Sequence, residues 1–190
     1  MFRRRNRRKT MERATEYASC KDFKQIFTED MAGLHRLAFL LTADHAKAEQ
    51  CFVAGLEASI HGNPVFREWA RAWSKRAIIQ SAIKAIAPAP VRYGAIRGSA
   101  ETNWQNRDIE SIAAAVVSWQ PFERFVFVMA VLEGYGLREC AALLACPVQD
   151  VMTAKSFTMQ RLAGQSATEV LSPDREFVQR NQGFARAQVA

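Results

Sequence analysis

Apolar residues recur at helical spacing through the first half of the chain. From position 22 onward they are separated by four, four, three, four and three residues, which places them on one face of a helix: Phe23, Phe27, Met31, Leu34, Ala38 and Leu41. The Thr42–Asp44 segment closes this helix, and Asp44 or Thr42 is expected to cap the next one at 46–60. A third helix is predicted at 64–86, with Pro64 in its first turn.

The third predicted helix has two different faces. An apolar stripe consists of Phe66, Trp69, Ala70, Trp73 and Ala77. Nearly opposite lie Arg67, Arg71 and Lys75, spaced four residues apart, with Arg76 adjoining them. Such a cationic stripe fits either a solvated surface, which is the commoner case, or a surface that binds anions.

The segment 88–107 contains prolines and glycines without a sustained period and is predicted to be a flexible linker. Helices resume over 108–165, with a break at Trp119–Pro121 and a turn at Gly134 and Gly136. Residues 137–162 then predict a helix-turn-helix, whose inward positions would be Cys140, Ala141, Leu144, Cys146, Val151 and Ala154. Ala145 stands at its corner, where a left-handed conformation would cost a non-glycine residue about 1 kcal/mol.

These patterns predict an all-α protein with two small helical domains, at 21–87 and 108–165, joined by the linker. Residues 1–20 are predicted to be a basic disordered tail and 166–190 a loose C-terminal tail. Gly164 to Ser166 are expected to end the last helix. With 190 residues and 49% hydrophobic content, the chain has enough apolar material for real cores.

The net charge of +7 is concentrated at one end. Six of the 26 basic residues lie at positions 3–9, so the remainder of the chain holds 20 basic and 19 acidic residues. The body is therefore nearly neutral. The tail can bind nucleic acid or another acidic surface without sequence preference, or simply be solvated.

Several classes of function find no support in the sequence. The four cysteines lack metal-ligand spacing and are expected to be buried free thiols, so no metal or cofactor is expected. The three histidines are scattered, and neither a nucleophile elbow nor a glycine-rich phosphate loop is present, so we expect no enzyme and no small-molecule substrate. No apolar run approaches 18 residues, so neither membrane contact nor secretion is expected, and the protein is predicted to be cytoplasmic.

Both halves resemble the sigma-70 family of RNA polymerase sigma factors, particularly the compact extracytoplasmic-function (ECF) type. The first half resembles region 2 of the family at Arg36-Leu37-Ala38, Leu41-Thr42-Ala43-Asp44, Ala48-Glu49 and Phe66-Arg67-Glu68-Trp69. The second half resembles region 4 over about 112–162, with the motif residues Pro121, Arg124, Glu133-Gly134-Tyr135, Glu139 and Ala141-Ala142-Leu143-Leu144.

The resemblance implies that the protein binds promoter DNA and core RNA polymerase to direct transcription initiation, with an anti-sigma factor as a further partner. The implied DNA-binding residues are Arg67, Arg71, Lys75, Arg76, Gln149, Thr153, Lys155, Ser156 and Arg161. Implied polymerase contacts are Glu49, Gln50 and Val53. Recognition helices use such polar and basic side chains to reach base edges and phosphates.

The chain departs from the family where DNA contact is expected. Ala154 and Phe157 stand where ECF proteins carry arginines in the recognition helix, and 108–165 has a net charge of −2. In region 2, Arg76 and Gln80 replace the usual Asn and Asp. An alternative is therefore a sigma-like protein-interaction module that regulates transcription without promoter recognition of its own.

Overall fold

The computed structural model describes residues 16–90 and 109–170, and within the second range the side chains of 113–162. The regular elements of the described residues are all helical, which confirms the all-α class. The predicted tail at 1–15, the linker at 91–107 and the end of the chain at 171–190 lie outside the described residues.

Eight α-helices follow one another along the described chain. They are α1 (Cys20–Glu29), α2 (Met31–Thr42), α3 (His45–His61), α4 (Ala70–Ile86), α5 (Ile109–Val117), α6 (Pro121–Phe127), α7 (Leu137–Leu144) and α8 (Val148–Val170). A short 3₁₀ turn, Arg67–Trp69, precedes α4, and a π-helical turn, Val128–Leu132, extends α6. No described helix is both long and apolar enough to cross a membrane.

The first predicted helix is two helices. The backbone breaks at Asp30, whose φ of −113° and ψ of 28° lie outside the α-helical range. The start of α1 is fixed by a capping box, in which the Ser19 hydroxyl accepts from the Asp22 N–H and the Asp22 carboxylate accepts from the Ser19 N–H. The predicted cap at Asp44 is confirmed, since its carboxylate accepts a hydrogen bond from the Lys47 N–H at 2.9 Å.

The third helix starts later than the sequence predicts. Residues 62–66 are extended or bent, so Pro64 does not lie in a first helical turn. A short strap from the N-terminal side holds this segment: the Ala18 N–H donates to the Val65 carbonyl at 2.8 Å, and the Arg67 N–H donates to the Glu16 carbonyl at 2.9 Å. Residues 16–20 belong to the described part of the chain, and the predicted tail at 1–20 stays a prediction.

Only part of the predicted apolar stripe of the third helix is buried. Ala70 and Ala77 lie in the core, whereas Trp69 is 58% exposed.

The α3 and α4 helices pack very closely where Gly55 faces Ile78, because Gly55 has no side chain to separate them. A Cβ placed on Gly55 would lie 3.2 Å from the backbone of Ile78, so the close approach depends on glycine.

The helix-turn-helix forms as predicted. Pro121 occupies the first turn of α6 after the break at Trp119 and Gln120. Five of the six predicted inward positions are buried, and Cys146 is half-buried: the buried ones are Cys140, Ala141, Leu144, Val151 and Ala154. Ala145 adopts the left-handed conformation at the corner (φ 51°, ψ 44°). The last helix is longer than predicted, since α8 continues through Gly164 and Ser166 to Val170.

Helices on both sides of 91–108 contribute to one continuous apolar cluster. Leu41 and Ile78 of the first group belong to it, as do Trp119, Phe122 and Val151 of the second. The α2 helix provides the junction, since it contacts α5, α6 and the π-helical turn. The division into two domains remains a prediction, and the described helices share a common core.

Candidate nucleic-acid interface

Two of the predicted DNA-binding cations, Arg67 and Arg71, pair with acids of their own helical group. Arg67 donates to the carboxylates of Glu16 and Asp22 at 3.1 and 3.2 Å. Arg71 donates to the carboxylate of Asp30 at 3.0 Å. Both arginines remain substantially exposed, so these are surface ion pairs of the kind that contribute about 0–1 kcal/mol. The charges of Arg67 and Arg71 are therefore compensated, although both side chains stay accessible to solvent.

The other two cations of the stripe, Lys75 and Arg76, pair with acids that come from the second helical group. Lys75 Nζ donates to Glu133 at 2.7 Å, and Arg76 donates to Glu139 at 2.6 Å. These acids are 58 and 63 residues away in the sequence. The predicted phosphate-binding stripe is therefore compensated over its whole length.

Sequence patterns alone did not identify these acidic partners. Glu133 and Glu139 were recognised only as motif positions, and helical spacing predicts which residues share a face but not which residues lie opposite that face. Glu133 ends the π-helical turn, where its N–H donates to the Val128 carbonyl at 2.9 Å. Glu139 lies in the first turn of α7, where the positive end of the helix dipole favours an acid.

The α8 helix presents several of its predicted DNA-reading side chains to solvent. Gln149, Thr153 and Ser156 are exposed, whereas Lys155 is half-buried. The Thr153 hydroxyl donates to the Gln149 carbonyl at 2.9 Å, so one of its hydrogen-bonding sites is used within the helix. The exposed polar groups of α8 in this set are therefore mostly neutral.

Arg161 does not project freely from α8 as a phosphate contact would. Its guanidinium donates to Glu123 at 3.3 Å and lies 5.5 Å from the ring centre of Trp119 and 5.7 Å from that of Phe157. Glu123 is almost fully buried. Burial raises the pKa of its carboxyl, and the nearby Arg161 opposes that change. Arg161 therefore connects α8 to α6, and its predicted contact with the DNA backbone stays a prediction.

Exposed apolar side chains also occur on α8. Val148, Met152 and Met159 are separated by four and seven residues, a spacing that places them on one side of the helix. Each is between 37% and 46% exposed. A sulfur-containing apolar surface of this kind adapts easily to protein partners.

The predicted polymerase contacts lie together on the outside of α3. Glu49, Gln50 and Val53 are all exposed, and the three residues fall within little more than one helical turn. They are separate from the cationic stripe, which lies on the 3₁₀ turn and α4.

Two of the four cysteines show the burial expected of structural thiols, and Cys146 is half-buried. Cys51 and Cys140 are buried, whereas Cys20 is exposed. Burial raises the pKa of the Cys140 thiol to about 11, which keeps it protonated and unreactive. Among the described residues, no group of three or more His, Cys, Asp or Glu side chains is placed to hold a metal ion.

Comparisons of the chain with protein-family models, with curated proteins and with solved structures found no match. The features of the molecule that bear on its function are the helix-turn-helix, the compensated stripe and the surface of α8.

Proposed function

We propose that this protein is an ECF-like sigma factor, which binds promoter DNA and core RNA polymerase in the cytoplasm to direct transcription initiation. The main support is the helix-turn-helix. Its corner turns at Ala145, and α8 carries Gln149, Thr153 and Ser156 on its exposed surface. Neutral amide and hydroxyl groups at these places suit direct contact with base edges.

Electrostatics suggest that the helical part of the protein binds free DNA weakly. Phosphate contacts dominate the affinity of DNA-binding proteins, and the four stripe cations already have carboxylate partners. These partners are not an absolute barrier, because partly exposed ion pairs contribute little stability and phosphates can replace them. Attachment to polymerase would raise the local concentration of DNA and compensate for low intrinsic affinity.

A second candidate is a sigma-like module that regulates transcription through protein contacts alone, for example by binding an anti-sigma factor. The exposed Val148, Met152 and Met159 favour it, because a recognition helix gains little from apolar side chains at the DNA surface. The engagement of Arg161 with Glu123 favours it as well, since it removes a cation from the outer surface of α8.

Transcription assays separate the two candidates. The purified full-length chain is first tested for binding to core RNA polymerase, and the complex is then used for runoff transcription on a library of genomic promoter fragments. A sigma factor gives transcripts that depend on particular promoters and on the added chain. Polymerase binding without any such transcript would rule out the first candidate and leave the interaction module.

A further inference from the structure

The cationic stripe contains two kinds of ion pair. Arg67 and Arg71 pair with acids from their own group of helices. Lys75 and Arg76 pair with Glu133 and Glu139, which belong to the other group. Only the second kind depends on how the two groups pack against each other.

We propose that Glu133 and Glu139 mask Lys75 and Arg76 from nucleic-acid phosphates, so that packing between the helical groups limits how strongly the stripe binds DNA. The inference rests on the proposed function in one respect, because it takes the stripe as the DNA-facing surface. It goes beyond that function by assigning two carboxylates as internal competitors of the phosphate backbone.

Both carboxylates contact Lys75 and Arg76 as the oxygens of a phosphate would. Each places an oxygen within 2.7 Å of a cationic nitrogen, a separation typical of charge-assisted hydrogen bonds. The side chain of Glu133 is 17% exposed and that of Glu139 is 45% exposed. Lys75 and Arg76 each retain about a third of their side-chain exposure, so phosphates can reach both cations once the carboxylates move.

Both acids are held in place by the fold. The backbone of Glu133 is fixed by its hydrogen bond to Val128, and Glu139 begins a helix. The common core holds the second group against α2. The carboxylates are therefore present at high effective concentration beside Lys75 and Arg76, and a phosphate must displace them.

The test compares two variants that change the net charge by the same amount. In E133Q/E139Q the masking carboxylates become neutral amides. The control is D44N/E57Q, because Asp44 and Glu57 are exposed, form no ion pair with any described residue, and Asn keeps the oxygen that caps α3. Each variant gains two positive charges overall, so only the position of the change differs.

Binding of a fluorescein-labelled DNA duplex of arbitrary sequence is measured by anisotropy at several salt concentrations. Two newly available phosphate contacts should steepen the slope of the logarithm of the binding constant against the logarithm of the salt concentration by about two. The loss of affinity between about 50 and 200 mM salt then becomes about tenfold larger. E133Q/E139Q should show this change, and D44N/E57Q should keep the slope of the unmodified protein. Circular dichroism confirms that each variant is folded.

Adding K75Q/R76Q to E133Q/E139Q should remove the steeper slope, because the unmasked cations are then missing. An equal change in D44N/E57Q, or a steeper slope that persists without Lys75 and Arg76, overturns the masking. Runoff transcription keeps the two proposals distinct. Promoter-dependent transcripts with an unchanged slope in E133Q/E139Q refute the masking alone, whereas the expected slope without such transcripts supports the masking and refutes the sigma function.

Discussion

The Nε atom of Arg124 donates a hydrogen bond of 3.1 Å to the carbonyl oxygen of Leu41, 83 residues earlier in the chain. Its guanidinium also donates to the carbonyls of Val117 and Trp119 at 3.1 and 3.2 Å. These carbonyls lie at or just beyond the ends of α2 and α5, where helices leave acceptors unsatisfied and carry partial negative charge. One buried cation thus joins three segments through backbone oxygens.

Replacing Arg124 by Met should destabilise the protein by about 3 kcal/mol, because two buried hydrogen bonds and one part-buried hydrogen bond to carbonyls are lost. Burial lowers the pKa of the guanidinium, but arginine stays charged under all ordinary conditions. Urea unfolding followed by circular dichroism measures the change. Arg138→Met is the matched control, because Arg138 is exposed and forms no ion pair with any described residue; a similar loss in both variants would contradict the role given to Arg124.

Local features of the fold were predictable from the sequence, whereas long-range contacts were not. Spacing alone identified Ala141 and Val151 as buried, and Asp44 as a helix cap, because these depend on neighbours within a few residues. The pairing of Lys75 with Glu133 depends on how two groups of helices pack. No periodicity along the chain contains that information.

The difference between local preferences and long-range contacts also explains why the third predicted helix starts later than its sequence predicts. Pro64 has a good local preference for a first helical turn. The strap formed by residues 16–18 instead holds Val65 and Arg67 through backbone hydrogen bonds and keeps that segment extended. A tertiary contact from a distant part of the chain outweighs the local preference.

Ala145→Gly should stabilise the protein. Ala145 has a φ of 51°, a conformation that costs a residue with a Cβ about 1–2 kcal/mol. Glycine avoids this cost but gives the unfolded chain more freedom, worth about 0.4–1 kcal/mol, so a net gain of about 0.5–1 kcal/mol remains. Thermal unfolding of the variant and of the unmodified protein measures this net gain in stability. As a control, Ala54→Gly at an exposed position inside α3 should lower the free energy of unfolding by about 1 kcal/mol. A lower free energy of unfolding in Ala145→Gly would show that the left-handed conformation does not strain Ala145.

Gly55→Ala should destabilise the protein, although alanine is the better helix former by about 1 kcal/mol. The added methyl group would lie 2.6 Å from the Ile78 side chain and 3.2 Å from its backbone. Overpacking against backbone costs about 1–3 kcal/mol and cannot be relieved by a rotamer change. Adding Ile78→Ala removes the side-chain contact at 2.6 Å but keeps the backbone contact at 3.2 Å, so the cost of Gly55→Ala should shrink in that background without vanishing. Equal costs in both backgrounds would exclude a clash with the Ile78 side chain.

Asp22 makes the stability of α1 dependent on pH. Hydrogen bonds from the Ser19 hydroxyl and N–H, together with Arg67, hold the pKa of the Asp22 carboxyl below its usual value of 3.8. An acid whose pKa is lower in the folded state stabilises the protein above its unfolded pKa and loses that contribution as pH falls through the folded pKa.

Asp22→Asn should therefore cost about 1 kcal/mol near neutral pH, and the difference from the unmodified protein should shrink once the pH falls below 3.8. Urea unfolding at several pH values measures it. Glu57→Gln serves as control, since no described residue forms an ion pair with Glu57, and its effect should stay near zero throughout. A cost at Asp22 that does not change with pH would mean that packing, and not the carboxylate, stabilises the start of α1.

Arg71→Gln/Lys75→Gln should reduce promoter-dependent transcription at least about tenfold, if the stripe contacts two phosphates of the promoter. Glutamine is preferable to glutamate here, because a new carboxylate would repel Asp30 and Glu133, the present partners of these cations. The helical circular-dichroism spectrum should not change, since surface ion pairs contribute little to stability. Lys24→Gln/Lys47→Gln removes the same charge from exposed positions elsewhere and should leave transcription nearly intact. Unchanged transcription in the stripe variant would exclude Arg71 and Lys75 from promoter binding.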